Sequence, residues 1–229
     1  MASTVIGARK VRPARFWEST NGKKVVMAIS GVILFGFVFG HMVGNLQTFE
    51  GPEKLNAYGH FLHSVPEILW VVRLSLLAAV ALHIISAVGL ALANNSARPI
   101  GYAKRKNVNS SYASRTMYWS GPILLAFIIY HLLHLTAGAV SPGGPFIEGD
   151  VYHNVVAGFS VWWVSAWYIF SMILLGLHLR HGVWSMFQSI GFNHPRHTPI
   201  LNKFAWVFAI VITCGFISIP LGVLTGIIK

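Results

Sequence analysis

The sequence predicts an all-α integral membrane protein, a bundle of five transmembrane helices with the N-terminus cytoplasmic and the C-terminus outside. Three observations predict it. Only 10% of the residues are charged, against roughly 25% in soluble domains. The hydrophobic residues, 55% of the chain, are gathered into five long blocks rather than spread along it. The basic residues fall in alternate connections between those blocks.

The blocks run approximately over 25–46, 68–93, 118–139, 159–187 and 204–228, so that 1–229 reads as a single transmembrane domain. Each exceeds the roughly 20 residues a helix needs to span a bilayer. Only helices or closed barrels satisfy every backbone group in lipid, and no block alternates as a barrel strand does. The first block follows a basic start, as a secretory signal would. It is long enough to span and lacks a small-x-small pattern at its end, so a retained helix is expected.

Orientation follows from the connections. The N-terminal segment carries Arg9, Lys10, Arg12, Arg15, Lys23 and Lys24. The second connection carries Arg98, Lys104, Arg105, Lys106 and Arg115, and the fourth Arg180, Arg196 and Lys203. The first connection has Lys54 alone and the third has none, while Glu50, Glu53, Glu67, Glu148 and Asp150 lie on that side. The positive-inside rule therefore places the N-terminus in the cytoplasm of a multi-pass protein of the cell inner membrane. The net charge of +11 has the same origin, which argues against nucleic acid as a partner. The single cysteine, Cys214, lies inside the fifth block, so no disulfide framework or thiolate metal site is available. Pro142-Gly143-Gly144-Pro145 marks a turn in the third connection.

Ionisable residues inside spans are costly and usually mark function. His41 falls in the first block, His83 in the second, His131 and His134 in the third, and His178 and His181 in the fourth. With about 1.5 Å of rise per residue, His41 lies about 25 Å and His131 about 20 Å from the inner ends of their spans. His83 and His178 lie about ten and nine residues from the inner ends of theirs. The histidines thus form two layers, with two helices contributing to each. Two bis-histidine haems stacked across the membrane require this distribution. Interhelical hydrogen bonds or a proton relay also use such histidines, whereas tetrahedral zinc needs its ligands at one depth. Gly36, Gly40 and Gly44 recur every four residues in the first span, as clearance for haem or for close helix packing.

Several stretches resemble a known family: GVILFGFVFGHMVGN (Gly31–Asn45), NAYGHFLHSVP (Asn56–Pro66), VALHIISAVG around His83, SGPILLAFIIYH (Ser120–His131) and LHLRHGVWS (Leu177–Ser185). Their order and histidine positions resemble the five-helix, di-haem cytochrome b anchor subunit of succinate dehydrogenases and fumarate reductases, over nearly the whole chain.

The resemblance implies two b haems, with His41 and His131 as axial ligands of the distal haem and His83 and His178 as those of the proximal haem. His134 and His181 are then packing or hydrogen-bond partners. It implies a flavoprotein subunit with FAD and an iron–sulfur subunit docked on the cytoplasmic face, and membrane quinone as redox partner, with menaquinone favoured. A higher oligomer of the complex is compatible with it. Dicarboxylate chemistry would belong to the flavoprotein and no catalytic residue is assigned in this chain. Quinone candidates are His60, His63, Gln47, Glu50 and Arg73 near the outer ends of the first two spans, with His60 first. Two other classes compete: a di-haem anchor of a formate dehydrogenase, hydrogenase or nitrate reductase, and a haem-free transporter with histidine relays.

Overall fold

The computed structural model describes residues 16–97, 111–192 and 194–229. Among them there is no strand. Seven α-helices are present, α1 (Thr20–Leu46), α2 (Pro52–His63), α3 (Pro66–Ser96), α4 (Tyr112–Leu135), α5 (Val151–Ser160), α6 (Trp162–Ser189) and α7 (Thr198–Leu224), with a 3₁₀ turn at Gln47–Glu50. Five of them, α1, α3, α4, α6 and α7, are long and apolar enough to cross a membrane. The basic residues Arg9, Lys10, Arg12, Arg15, Arg98, Lys104, Arg105 and Lys106, which carry most of the expected orientation, lie outside the described residues.

Local chemistry sets the helix ends. The Ser19 hydroxyl accepts from Gly22 N at 2.9 Å and the Ser111 hydroxyl from Ser114 N at 3.1 Å, each satisfying one of the free amides of a first turn. Pro52, Pro66 and Pro199 occupy first-turn positions, where a missing N–H costs nothing. The Pro142–Gly144 turn forms where the sequence places it, closed by Gly144 N donating to Ser141 O at 3.3 Å. Gly144 adopts φ 133°, a backbone conformation that side chains resist.

Two boundaries differ from the sequence expectation. The fourth block, read as one span over 159–187, is broken at Val161, whose backbone is extended (φ −83°, ψ 110°). Its first residues belong to α5, which lies against α2. The break has no glycine or proline to announce it. Instead the Ser165 hydroxyl, fully buried, donates to Phe159 O at 2.6 Å and satisfies a carbonyl that the break would orphan. The fifth block, read to 228, leaves the helix at Thr225, and the chain folds back as Ile227 and Ile228 donate to Gly222 O.

The first connection is the 3₁₀ turn followed by α2. Together α2 and α5 cover one end of the bundle. Asn56 on α2 donates to Asp150 Oδ1 and accepts from Tyr152 N, both at 2.9 Å, and His153 N also donates to Asp150 Oδ1. These bonds hold the Asp150 carboxyl below the usual carboxylate range. The opposite end carries Lys23, whose stem packs at Gly89 of α3; it is called the basic end below.

Within the bundle α6 packs on α7, α4 and α1, and α1 packs on α3 and α7. Small residues permit the closest approaches. Gly176 of α6 faces Thr213 of α7, and the Met42 sulfur of α1 lies on Gly215. In lipid, packing rather than water exclusion holds helices together. Buried Ser30, Thr116 and Ser171 return their hydroxyls to carbonyls one turn back, whereas the buried Ser120 hydroxyl of α4 has no partner among the described residues. At the capped end Phe127, Val155, Phe159, Val164, Tyr168, Ile219 and Val223 form the largest buried cluster. Ile68, Val71, Leu74, Ile85 and Leu92 leave the outer side of α3 apolar and exposed, as a lipid-facing helix requires.

Candidate functional site: two histidine pairs

The α1–α4 and α3–α6 pairs are the instructive ones, because among the described residues neither is a packed helix pair. Each is bridged instead by two imidazoles. His41 of α1 and His131 of α4 stand with ring centres 5.7 Å apart and planes at 83°. His83 of α3 and His178 of α6 stand 6.2 Å apart with planes at 51°. The first pair lies in the last turns of α1 and α4, toward the capped end. The second lies nearer the middle of its helices. These are the pairs that depth alone groups together.

The separations match a shared metal. A histidine–metal bond is about 2 Å, and with a nitrogen about 1.1 Å from its ring centre, two imidazoles facing through one metal have centres about 6 Å apart. Directly stacked rings are closer, as Phe35 and Phe208 are at 4.0 Å. The donor set is equally specific. Among the described residues no group of three metal-ligating side chains converges anywhere. Two facing imidazoles are the donor set that a planar group bringing its own equatorial ligands would take.

At the His83–His178 pair a serine hydroxyl lies against one ring. The Ser30 hydroxyl donates to Val26 O at 2.8 Å and stands 3.2 Å from His83 Nδ1. With that proton engaged, Ser30 can accept from a protonated Nδ1, the tautomer that leaves the Nε2 lone pair of His83 free. His178 Nδ1 is buried with no partner. Held for packing alone, such an atom would cost about 1–3 kcal/mol. Around the outer pair the walls are aromatic. Phe37 stacks on His41 at 5.1 Å and Phe127 on His131 at 5.7 Å, each from four residues earlier on the same helix face. Phe216 closes on His41 from α7 at 6.0 Å.

The glycine stripe of α1 divides. A side chain at Gly44 would strike the Tyr58 ring of α2, so this glycine serves close packing. Gly36 and Gly40, with Gly121 on α4 and Gly182 on α6, have no neighbour within 4 Å of an added Cβ. They leave free space along three of the histidine-bearing helices.

His134 does not face His41. It is buried and bonded to the Tyr168 hydroxyl. On α6 it is the ring of His178, rather than that of His181, that faces His83. Sequence reasoning missed Ser30 and Tyr168, the residues that touch the paired rings. The only signal they offered was a hydroxyl inside an apolar block, which is common where helices pack.

The five quinone candidates are spread over three elements near the capped end. Glu50 lines a cleft of about 440 Å³ with Thr48, Gly51, Tyr152 and Ile228, and Gln47 begins the same 3₁₀ turn. His60 and His63 are exposed on α2, where His63 Nδ1 donates to Gly59 O at 2.9 Å. Arg73 of α3 stacks over Trp70 at 5.4 Å. Among the described residues none of the five hydrogen-bonds another. No family model, curated protein or solved structure matches this chain.

Proposed function

We propose that this chain is the membrane anchor and electron-transfer subunit of a succinate:quinone oxidoreductase, working as succinate dehydrogenase or in the fumarate reductase direction. It would lie in the cell inner membrane with its basic end cytoplasmic. One observation carries the reading: two imidazole pairs at two depths, each spanning helices that do not pack on each other, at separations suited to axial ligation. Motifs around these four histidines resemble the di-haem anchor family, which supplies the partners. These are an FAD flavoprotein and an iron–sulfur protein on the cytoplasmic face.

In this reading His41 and His131 hold the outer haem b, and His83 and His178 the inner. Haem supplies a one-electron iron couple whose potential follows its axial ligands and surroundings. The protein's part is positional. Ser30 sets the His83 tautomer, Phe37 and Phe127 keep the outer pair apolar, and α2 with α5 closes the end above it. Quinone, menaquinone first, would react near that cap, where His60, His63, Gln47, Glu50 and Arg73 offer donors and proton carriers.

The test is purification of the intact complex from membranes in mild detergent. Co-purification of a flavoprotein and an iron–sulfur protein, with succinate reducing a b-type spectrum, is the expected result. A formate-, hydrogen- or nitrate-linked partner would replace this reading with another di-haem anchor.

A further inference from the structure

Tyr168 stands between two histidines of α4. Its hydroxyl lies 2.9 Å from His134 Nδ1 and 3.3 Å from His131 Nδ1. A phenol has one proton and can donate to only one of them. Donation along the shorter contact, to His134, is the arrangement that leaves His131 protonated at Nδ1 and its Nε2 free. The phenol oxygen is then left to accept from His131 Nδ1–H. The three groups form a directed chain, from His131 through Tyr168 to His134. All of it is enclosed: Tyr168 and His134 are buried, and Phe127 and Phe159 meet the Tyr168 ring edge-on at 5.0 and 4.8 Å.

The chain is anchored at its far end. His134 Nε2 lies against Gly158 of α5, where an added Cβ has no room. The helix break at Val161 brings that glycine over the bundle, so the cap holds the His134 ring in place. Nothing comparable serves the other paired rings. His83 meets the Ser30 hydroxyl and the Met27 backbone, with no second side chain behind them, and His178 Nδ1 has no partner among the described residues.

We propose that Tyr168 and His134 are positioning residues for His131: they fix its tautomer with Nε2 free toward His41, and make it the more electron-donating ligand of the outer haem. The inference rests on the reading that His131 holds that haem. A hydrogen bond accepted from the distal nitrogen raises the basicity of a ligating imidazole and orients it. Donation by Tyr168 to His134 strengthens its oxygen as an acceptor, since linked hydrogen bonds polarise one another. A more basic ligand favours the oxidised iron. Removing the chain therefore raises the potential of the outer haem and leaves the inner one alone.

The experiment is a redox titration of the intact complex, with the two haems resolved and low-temperature electron paramagnetic resonance spectra of the oxidised state. Tyr168→Phe should raise the outer potential and shift the outer haem signal, with the inner haem unchanged and both haems retained. His134→Ala should do the same to a smaller extent, and His134→Asn, which keeps an acceptor near Nδ1, should restore most of the difference. An unchanged outer potential and spectrum in Tyr168→Phe would overturn the proposal. If Tyr168→Phe loses the outer haem, the His134 pair decides, because equal effects of Ala and Asn would reduce that ring to packing. A complex with no haem before any substitution would instead sink the parent reading, a result separable from both.

Discussion

The Ser30 hydroxyl of α1 and the His83 imidazole of α3 meet at 3.2 Å while the same hydroxyl donates backward to Val26 O at 2.8 Å. The direction of that one contact determines which nitrogen of His83 faces His178. A serine inside a transmembrane helix looks like packing. Here its proton is already engaged, so it acts on the histidine as an acceptor.

On the proposed reading, Ser30→Ala should leave both haems bound and raise the potential of the inner one alone, because His83 loses an acceptor at Nδ1. A redox titration resolving the two centres reads it. An equal shift of both centres would mean that the substitution acts through general packing.

A second prediction concerns the cap. Asp150 accepts from His153 N at the start of α5 and from Asn56 of α2. Asp150→Ala should destabilise the cap by about 0.5–2 kcal/mol, the usual range for a lost N-cap, and Asp150→Asn by less, since asparagine also caps. Hydrogen exchange over 151–160 should accelerate in the alanine variant. Because the folded carboxyl is held below its ordinary value, its contribution is complete above about pH 4 and fades as pH falls through the lowered value. Neutral and alkaline conditions should leave the cap unaffected. Exchange in α5 that ignores both the substitution and acid would show that the cap is held by its apolar contacts.

On the proposed reading, His60→Ala at the capped end should slow quinone turnover severalfold while both haems remain bound. His60 is exposed on α2, so truncation there removes a donor without disturbing the core. Steady-state rates with a menaquinone analogue, beside a haem spectrum, separate the two effects. Normal turnover would move attention to Glu50 and the cleft it lines.

The spans were legible because twenty apolar residues in a row have few other uses. The histidine layers were legible because helical rise converts residue number into depth. That arithmetic groups His41 with His131 and His83 with His178, and the structure brings the same rings within about 6 Å of each other. What escaped the sequence depends on tertiary contact. Val161 interrupts an unbroken apolar run, and only the buried Ser165 hydroxyl makes the interruption tolerable. The helix α2 after Gly51 is tied to α5 through Asn56, a contact no local pattern announces. Tyr168 carries no mark in its block; its role exists only once α6 lies against α4. Gly44 and Gly40 look alike in the stripe, but one meets Tyr58 and the other meets open space.

The central claim is that four histidines hold two haems, one pair to each. The direct measurement is a pyridine haemochrome assay, calibrated to protein, on the purified complex and on His83→Ala, His178→Ala, His41→Ala and His131→Ala. About two b haems per chain, falling by about one in every variant, with the same centre lost from His83 and His178 and the other lost from His41 and His131, is the predicted result. A folded complex without haem, or variants whose losses do not sort into these two pairs, would contradict it.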